Sequence, residues 1–208
     1  MSELLVVCAH PHLEHSRVTR SLLQAASAQV PPVRVHDLYA RYPDYDVDVA
    51  AEQRALAEAA VVVWLHPIHW YSMPPLMKLW VDEVFAFGWA YGPGGEALKG
   101  KRLWLATSTG GGLDAYSPQG HHRHAFDDFL LPYVQTARLT GMGWEPPLVL
   151  HAAHRASEAA VAGHRAAFVA GLERLRSAIA PAGAVPTEYV PPDERPQLQA
   201  VPAPGVRP

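Results

Sequence analysis

The chain has 208 residues, 49% of them apolar and 18% charged, so it can bury a full core, which excludes a chain disordered throughout. Lys plus Arg number 17 against 20 Asp plus Glu, a formal charge of −3 with no basic excess to favour nucleic acid. The single cysteine, Cys8, excludes an internal disulfide framework and a one-chain cysteine-zinc cluster and fits a reducing cytosol.

Short apolar runs alternate with helical periodicities along the chain. Residues 4–9 predict a buried strand that ends at His10-Pro11, and 16–29 a helix. A second strand is expected over 33–39, a helix over 48–59, a third strand over 60–65 and a helix over 74–87. Then come a strand over 103–107, a helix over 125–141, a strand over 147–150 and a helix over 157–179. That last helix puts Val161, Phe168, Leu172, Leu175 and Ile179 on one face. Near-continuous β-branched runs suit strands covered on both faces, and strands that alternate with helices predict an α/β fold with a parallel sheet. Residues 181–208 hold eight prolines and few large apolar groups, and predict an extended tail after one domain over 1–180. The first residues lack the basic region of a signal peptide, and no apolar run approaches the roughly 20 residues of a membrane span.

In an open parallel sheet, ligands bind beyond the carboxyl ends of the strands. Three of these ends carry unusual residues. After the first strand come His10, Ser16, Arg17, Val18 and Thr19, with hydroxyls at a helix N-terminus where free amides and the dipole favour a phosphate. The alternative is that Ser16 caps its helix. After the third strand comes Pro67-Ile68-His69-Trp70-Tyr71-Ser72, a loop whose backbone and aromatics suit a flat ring or, alternatively, an interface. After the fourth comes Ser108-Thr109-Gly110-Gly111-Gly112, where absent side chains let a ligand approach or simply form a turn. Tyr116 and His122 follow, and a histidine there can supply a proton or a positive charge. Together the three loops match a mononucleotide with a flat ring, such as FMN.

Other patterns carry less. The run 95–101 imitates a phosphate loop but continues with Arg102 and precedes a strand, and no G-x-G-x-x-G follows the first strand. Ala9-His10-Pro11-His12-Leu13-Glu14 resembles the A-H-P-D-D-E segment of zinc-dependent N-deacetylases, with His151 and His154 as a later H-x-x-H. His12 and Leu13 replace that motif's two acids, so no metal site is expected; His121, His122 and His124 are adjacent loop residues that point different ways.

Longer strings carry a resemblance. They are Ala9-His10-Pro11, Tyr42-Pro43-Asp44, Ala50-Ala51-Glu52-Gln53, His66 through Ser72, Pro74-Pro75-Leu76, Lys78-Leu79-Trp80, Gly88-Trp89-Ala90-Tyr91-Gly92 and Thr109 through Gly112. Over about residues 3–175 the sequence resembles the flavodoxin-like NAD(P)H:quinone oxidoreductases of the DT-diaphorase type. Within them it is most similar to the ancillary subunits of glutathione-gated potassium-efflux systems. The resemblance implies a flavodoxin-like fold, a five-stranded parallel sheet in the order 2-1-3-4-5 with helices on both faces. It implies FMN held by His10, Ser16, Arg17, Val18, Thr19, Ile68, His69, Trp70, Tyr71, Ser108, Thr109, Gly110 and Gly111, with Tyr116 and His122 assisting hydride transfer. The implied reaction is a ping-pong, two-electron transfer from NAD(P)H to a quinone. A homodimer is implied too, in the cytoplasm, with an efflux antiporter subunit as a partner at the membrane. Trp70, Tyr71, Trp80, Trp89 and Tyr91 are expected to form the aromatic surface of that dimer. Thr19 stands where the family often has Asn, and Ser108 where it has Thr.

Overall fold

The computed structural model describes residues 4–179; the expected tail lies outside them. Five parallel strands form one sheet in the order β2-β1-β3-β4-β5, as expected: β1 (Leu4–Cys8), β2 (Arg34–Asp37), β3 (Val61–Pro67), β4 (Arg102–Ser108) and β5 (Gly143–Leu150). The helices are α1 (Val18–Ser27), α2 (Leu38–Arg41), α3 (Val49–Glu58), α4 (Pro75–Val84), α5 (Leu131–Leu139) and α6 (Glu158–Ser177).

Alternation along the strands sorts the core into two layers. Leu4, Val6, Cys8, Val61, Val63, Leu65, Trp104 and Ala106 face Leu22 and Ala26 of α1 and Phe168, Leu172 and Leu175 of α6. Trp104 stacks on Phe168 with ring centres 5.4 Å apart. Leu5, Val7, Val62, Trp64, Leu103 and Leu105 face α3, α4 and α5 on the other side. Cys8 is buried, and that burial pushes its thiol pKa up.

The elements differ from expectation in four places. The second strand stops at Asp37, because the Asp37 carboxylate accepts from the Ala40 amide at 3.4 Å and caps the short α2. The fifth strand starts four residues earlier than the apolar run suggested. Glu145 pairs with Trp104 but Leu148 with Ala106, so the strand gains one residue over Pro146 and Pro147. Prolines fit there because β5 is an edge strand and a bulge absorbs the lost donor. The helix expected over 125–141 is split into a 3-10 segment, Phe126–Leu130, and α5, with Pro132 at the first turn of α5. Finally, Trp80 is wholly buried and not surface aromatic. It sits on the apolar face of α4 with Leu76, Met77 and Val84, and its indole N–H donates to Glu52 at 3.1 Å.

Glu52, also wholly buried, binds that corner of the fold together. One carboxylate oxygen accepts from Tyr42 Oη at 2.6 Å and Arg41 Nε at 3.2 Å; the other accepts from Trp80 Nε1 and lies 2.8 Å from His36 Nδ1. These donors come from β2, the end of α2 and α4, and they converge on α3. Burial alone would raise the carboxyl pKa; hydrogen bonds from His36, Tyr42 and Trp80 outweigh it and leave Glu52 below its usual value.

Candidate functional site

The loop from β1 to α1 builds the first wall. Pro11 through Ser16 turn through a 3-10 segment at Leu13–His15, and Ser16 Oγ accepts from the Thr19 amide at 3.0 Å. Ser16 therefore caps α1, the alternative weighed above. The amides of Arg17 and Val18 have no protein acceptor among the described residues. They face outward from the positive end of α1, the arrangement that favours an anion. The side chains of Val18 and Thr19 are buried, so Val18 reaches a ligand through its backbone only. The Arg17 guanidinium is turned away, 2.6 Å from Glu158 at the start of α6. His10 Nδ1 accepts from the His12 amide at 3.1 Å, which leaves the proton of the neutral ring on Nε2. Burial, then the neighbouring His69 and His12, lower the His10 pKa.

The loop from β3 to α4 builds the second wall. Ile68 and Ser108 extend the β3–β4 pairing, with the Ile68 amide donating to Ser108 O at 2.8 Å. A two-residue hairpin follows: His69 N–H donates to Ser72 O at 2.9 Å and Ser72 N–H to His69 O at 3.0 Å. The central residues Trp70 and Tyr71 have φ of 47° and 65°. Such turns ordinarily take Asn-Gly, and a bulky residue there stores about 1–3 kcal/mol of strain. The turn leaves the Trp70 and Tyr71 amides without a protein acceptor among the described residues, and Trp70 is 92% exposed. Beneath the loop, His66 is buried with Nδ1 3.0 Å from Pro67 O. A carbonyl only accepts, so Nδ1 carries the proton, and burial pulls the His66 pKa down to about 4. His69 is exposed and its ring lies 6.1 Å from that of His10, which joins the two walls.

The loop after β4 closes the third side. Ser108 and Thr109 are buried; Gly110 is exposed, and a Cβ added to it would meet no protein atom beyond the adjacent residues within 4 Å. Gly111 is crowded by Tyr116 and His122, whose rings stack at 4.4 Å. His122 Nδ1 lies 3.4 Å from Tyr71 Oη, so this pair spans from the third loop to the second. His121 and His124 are more exposed, while His122 is half-buried. Burial raises the Tyr116 pKa and keeps its hydroxyl protonated.

The thirteen residues expected to bind FMN thus lie at the carboxyl ends of β1, β3 and β4, most on the loops there, with Val18 and Thr19 in the first turn of α1 and Ser108 the last residue of β4, and Tyr116 and His122 follow on the loop after β4. Unspent amides, an anion-favouring helix end and an open Gly110 surface fit a ligand with a phosphate at one end and a flat ring at the other. The sequence reading missed His151 as part of this site. Its Nδ1 is 3.0 Å from Thr109 Oγ1, and its ring lies 5.5 Å from that of Tyr116. The signal was its place directly after β5, a fourth strand end on the same edge. Among the described residues no group of three or more His, Cys, Asp or Glu side chains is arranged to hold a metal ion. Of the expected surface aromatics, Trp89 and Tyr91 are half-buried and Trp80 is core; Phe87, 69% exposed, was not anticipated.

Comparison with known proteins adds the family context. Residues 2–172 match the model of a family described by its flavodoxin-like fold. The chain is 45% identical over 148 residues to the glutathione-regulated potassium-efflux system ancillary protein KefF of Salmonella arizonae, covering 71% of this chain and 82% of that one. General stress protein 14 of Treponema denticola, solved in complex with FMN, superposes with a TM-score of 0.78 at 36% identity, over 83% of this chain and 99% of that one. An NADPH-quinone reductase of P. pentosaceus superposes with a TM-score of 0.72 at 28% identity, over 81% and 96%.

Proposed function

The chain belongs to the family with the flavodoxin-like fold, and from that premise we propose that it is an FMN-dependent NAD(P)H:quinone oxidoreductase. The observation that carries this reading is the set of unpartnered amides at Arg17, Val18, Trp70 and Tyr71 around the open Gly110 surface. The FMN bound by the Treponema denticola protein and the activity named for the P. pentosaceus protein support it.

When bound, FMN supplies two-electron hydride chemistry between a nicotinamide and a quinone. The Arg17 and Val18 amides, backed by the α1 dipole, would hold its phosphate. The Trp70 and Tyr71 amides would be free to bond its ring, and Gly110 leaves room for it beside the backbone. Tyr116 Oη and the His122 ring, held in place by their stacking, would offer donors to negative charge developing on the bound group. On this reading the nicotinamide and the quinone would use the one site beside Gly110 in turn, which would make the kinetics ping-pong.

Two further parts of the proposal concern assembly. The chain acts as a homodimer whose interface covers the exposed Trp70 and Phe87. The likeness to KefF supports a second role as ancillary subunit of a glutathione-gated potassium-efflux antiporter, with the protein on the cytoplasmic side of the membrane. Among the described residues no helix is long and apolar enough to cross a membrane.

The test is steady-state oxidation of NADH and NADPH by the FMN-loaded protein with a soluble quinone. Parallel double-reciprocal lines are expected. Flavin-loaded protein without acceptor-dependent NAD(P)H oxidation would overturn the enzymatic reading. Co-purification of the protein with an efflux subunit, repeated with a variant that cannot hold FMN, tests the second role.

A further inference from the structure

We infer that His151, on the loop between β5 and α6, is a positioning residue that holds the 109–111 loop in its ligand-ready shape through a hydrogen bond to Thr109. The two loops are laced together. Thr109 N–H donates to Leu150 O at 3.0 Å, Ala152 N–H to Gly111 O at 2.9 Å and Ala153 N–H to Thr109 O at 2.9 Å. Ala152 takes a left-handed conformation, φ 53° and ψ 42°, to make its bond. The side-chain link completes the set at 3.0 Å between His151 Nδ1 and Thr109 Oγ1.

The direction of that link follows from proton counting. Thr109 Oγ1 has one proton, and it is spent on Gly111 O at 2.8 Å, which can only accept. Oγ1 therefore accepts from His151, and Nδ1 must carry the ring proton while Nε2 is bare. An imidazole in water favours the opposite tautomer, so the environment imposes this one. The ring is held between Tyr116, 5.5 Å away, and Phe126, 5.0 Å away and nearly perpendicular. One histidine thus fixes the Thr109 hydroxyl, the Gly111 carbonyl behind it and one side of Tyr116. It touches the ligand-facing backbone only through those groups.

The inference is independent of the ligand in its geometry and rests on the FMN reading only in its consequence. Long-range ring spectra of the ligand-free protein labelled with nitrogen-15 should show Nδ1 protonated and Nε2 bare; an Nε2–H ring would overturn the inference. His151→Asn keeps an N–H near the Nδ1 position, whereas His151→Leu keeps only bulk. Amide hydrogen exchange at Ala152 and Ala153 should speed up about tenfold in His151→Leu and stay near the parent rate in His151→Asn. Equal exchange in the two variants would overturn it. Thr109→Val, a near-isostere, provides the reciprocal test: it should release the His151 ring to the other tautomer, and an unchanged ring would contradict the link. FMN affinity should fall about tenfold in His151→Leu and recover in His151→Asn. If the parent itself takes no FMN, the functional reading fails, while the tautomer and exchange results still decide the role of His151.

Discussion

Around Glu52, at least three donors meet one buried carboxylate and both of its oxygens are occupied. At the carboxyl ends of β1 and β3, by contrast, the amides of Arg17, Val18, Trp70 and Tyr71 have no acceptor in the protein among the described residues. Both regions join several elements, and both contain aromatic and titratable groups. They differ in what happens to their hydrogen bonds. Closing every bond internally makes a rigid corner that needs no ligand, because a buried charge is tolerable only when fully paired. Leaving amides open, at the expense of strain at Trp70 and Tyr71, makes a surface that is completed by something else.

Breaking the closed region should cost the most stability. Glu52→Ala strands Trp80, Tyr42 and His36 without their acceptor and should lower unfolding stability by about 3–5 kcal/mol, measured as a shift in the urea midpoint. The same carboxylate gives a pH test. Its folded pKa is depressed, so its stabilisation is fully present above the unfolded value and is lost as pH falls through the folded value. Glu52→Gln should therefore flatten the acid limb of the stability curve below about pH 4.5; an unchanged limb would put the stabilisation elsewhere.

Changes in the open region should do the reverse, sparing the fold and costing the ligand. Gly110→Val places a side chain where no protein atom beyond the adjacent residues lies within 4 Å of the first added carbon. Thermal stability without ligand should stay within a degree or two, while FMN affinity drops on the order of 100-fold, about 2.8 kcal/mol. Titration of the ligand-free variant by flavin fluorescence quenching checks both halves. A smaller effect is expected at His122. His122→Gln should slow flavin reduction by NAD(P)H about tenfold, or 1.4 kcal/mol in the barrier, and leave FMN bound. His121→Gln, on an exposed neighbour, should leave the stopped-flow rate unchanged; a larger loss there would assign the role to His121 and contradict the one given to His122.

Most of the scaffold was legible because continuous apolar runs such as 61–65 and 103–106 have few alternatives to a doubly covered strand. The first half of β5 was not, since Pro146 and Pro147 read as strand breakers until an edge position and a bulge make them harmless. The three site loops were legible from glycines, hydroxyls and aromatics after strands. The tight turn at Trp70 and Tyr71 was not, because bulky residues ordinarily avoid positive φ and only tertiary support holds them there. The His151–Thr109 link joins residues 42 apart in sequence, and only the pairing of β4 with β5 brings them together. The Glu52 corner was visible as a motif but not as a network, since its donors are spread from residue 36 to residue 80.

The contrast between the two regions stands on the open amides being completed by FMN. The direct measurement is the visible spectrum of the purified protein after incubation with excess flavin and removal of the unbound fraction, with the retained cofactor released by heat and run against FMN and FAD standards. The expected result is a yellow protein that retains FMN at about one molecule per chain and discriminates against FAD. A colourless protein after that incubation, or one that retains FAD at full occupancy in preference to FMN, would contradict it.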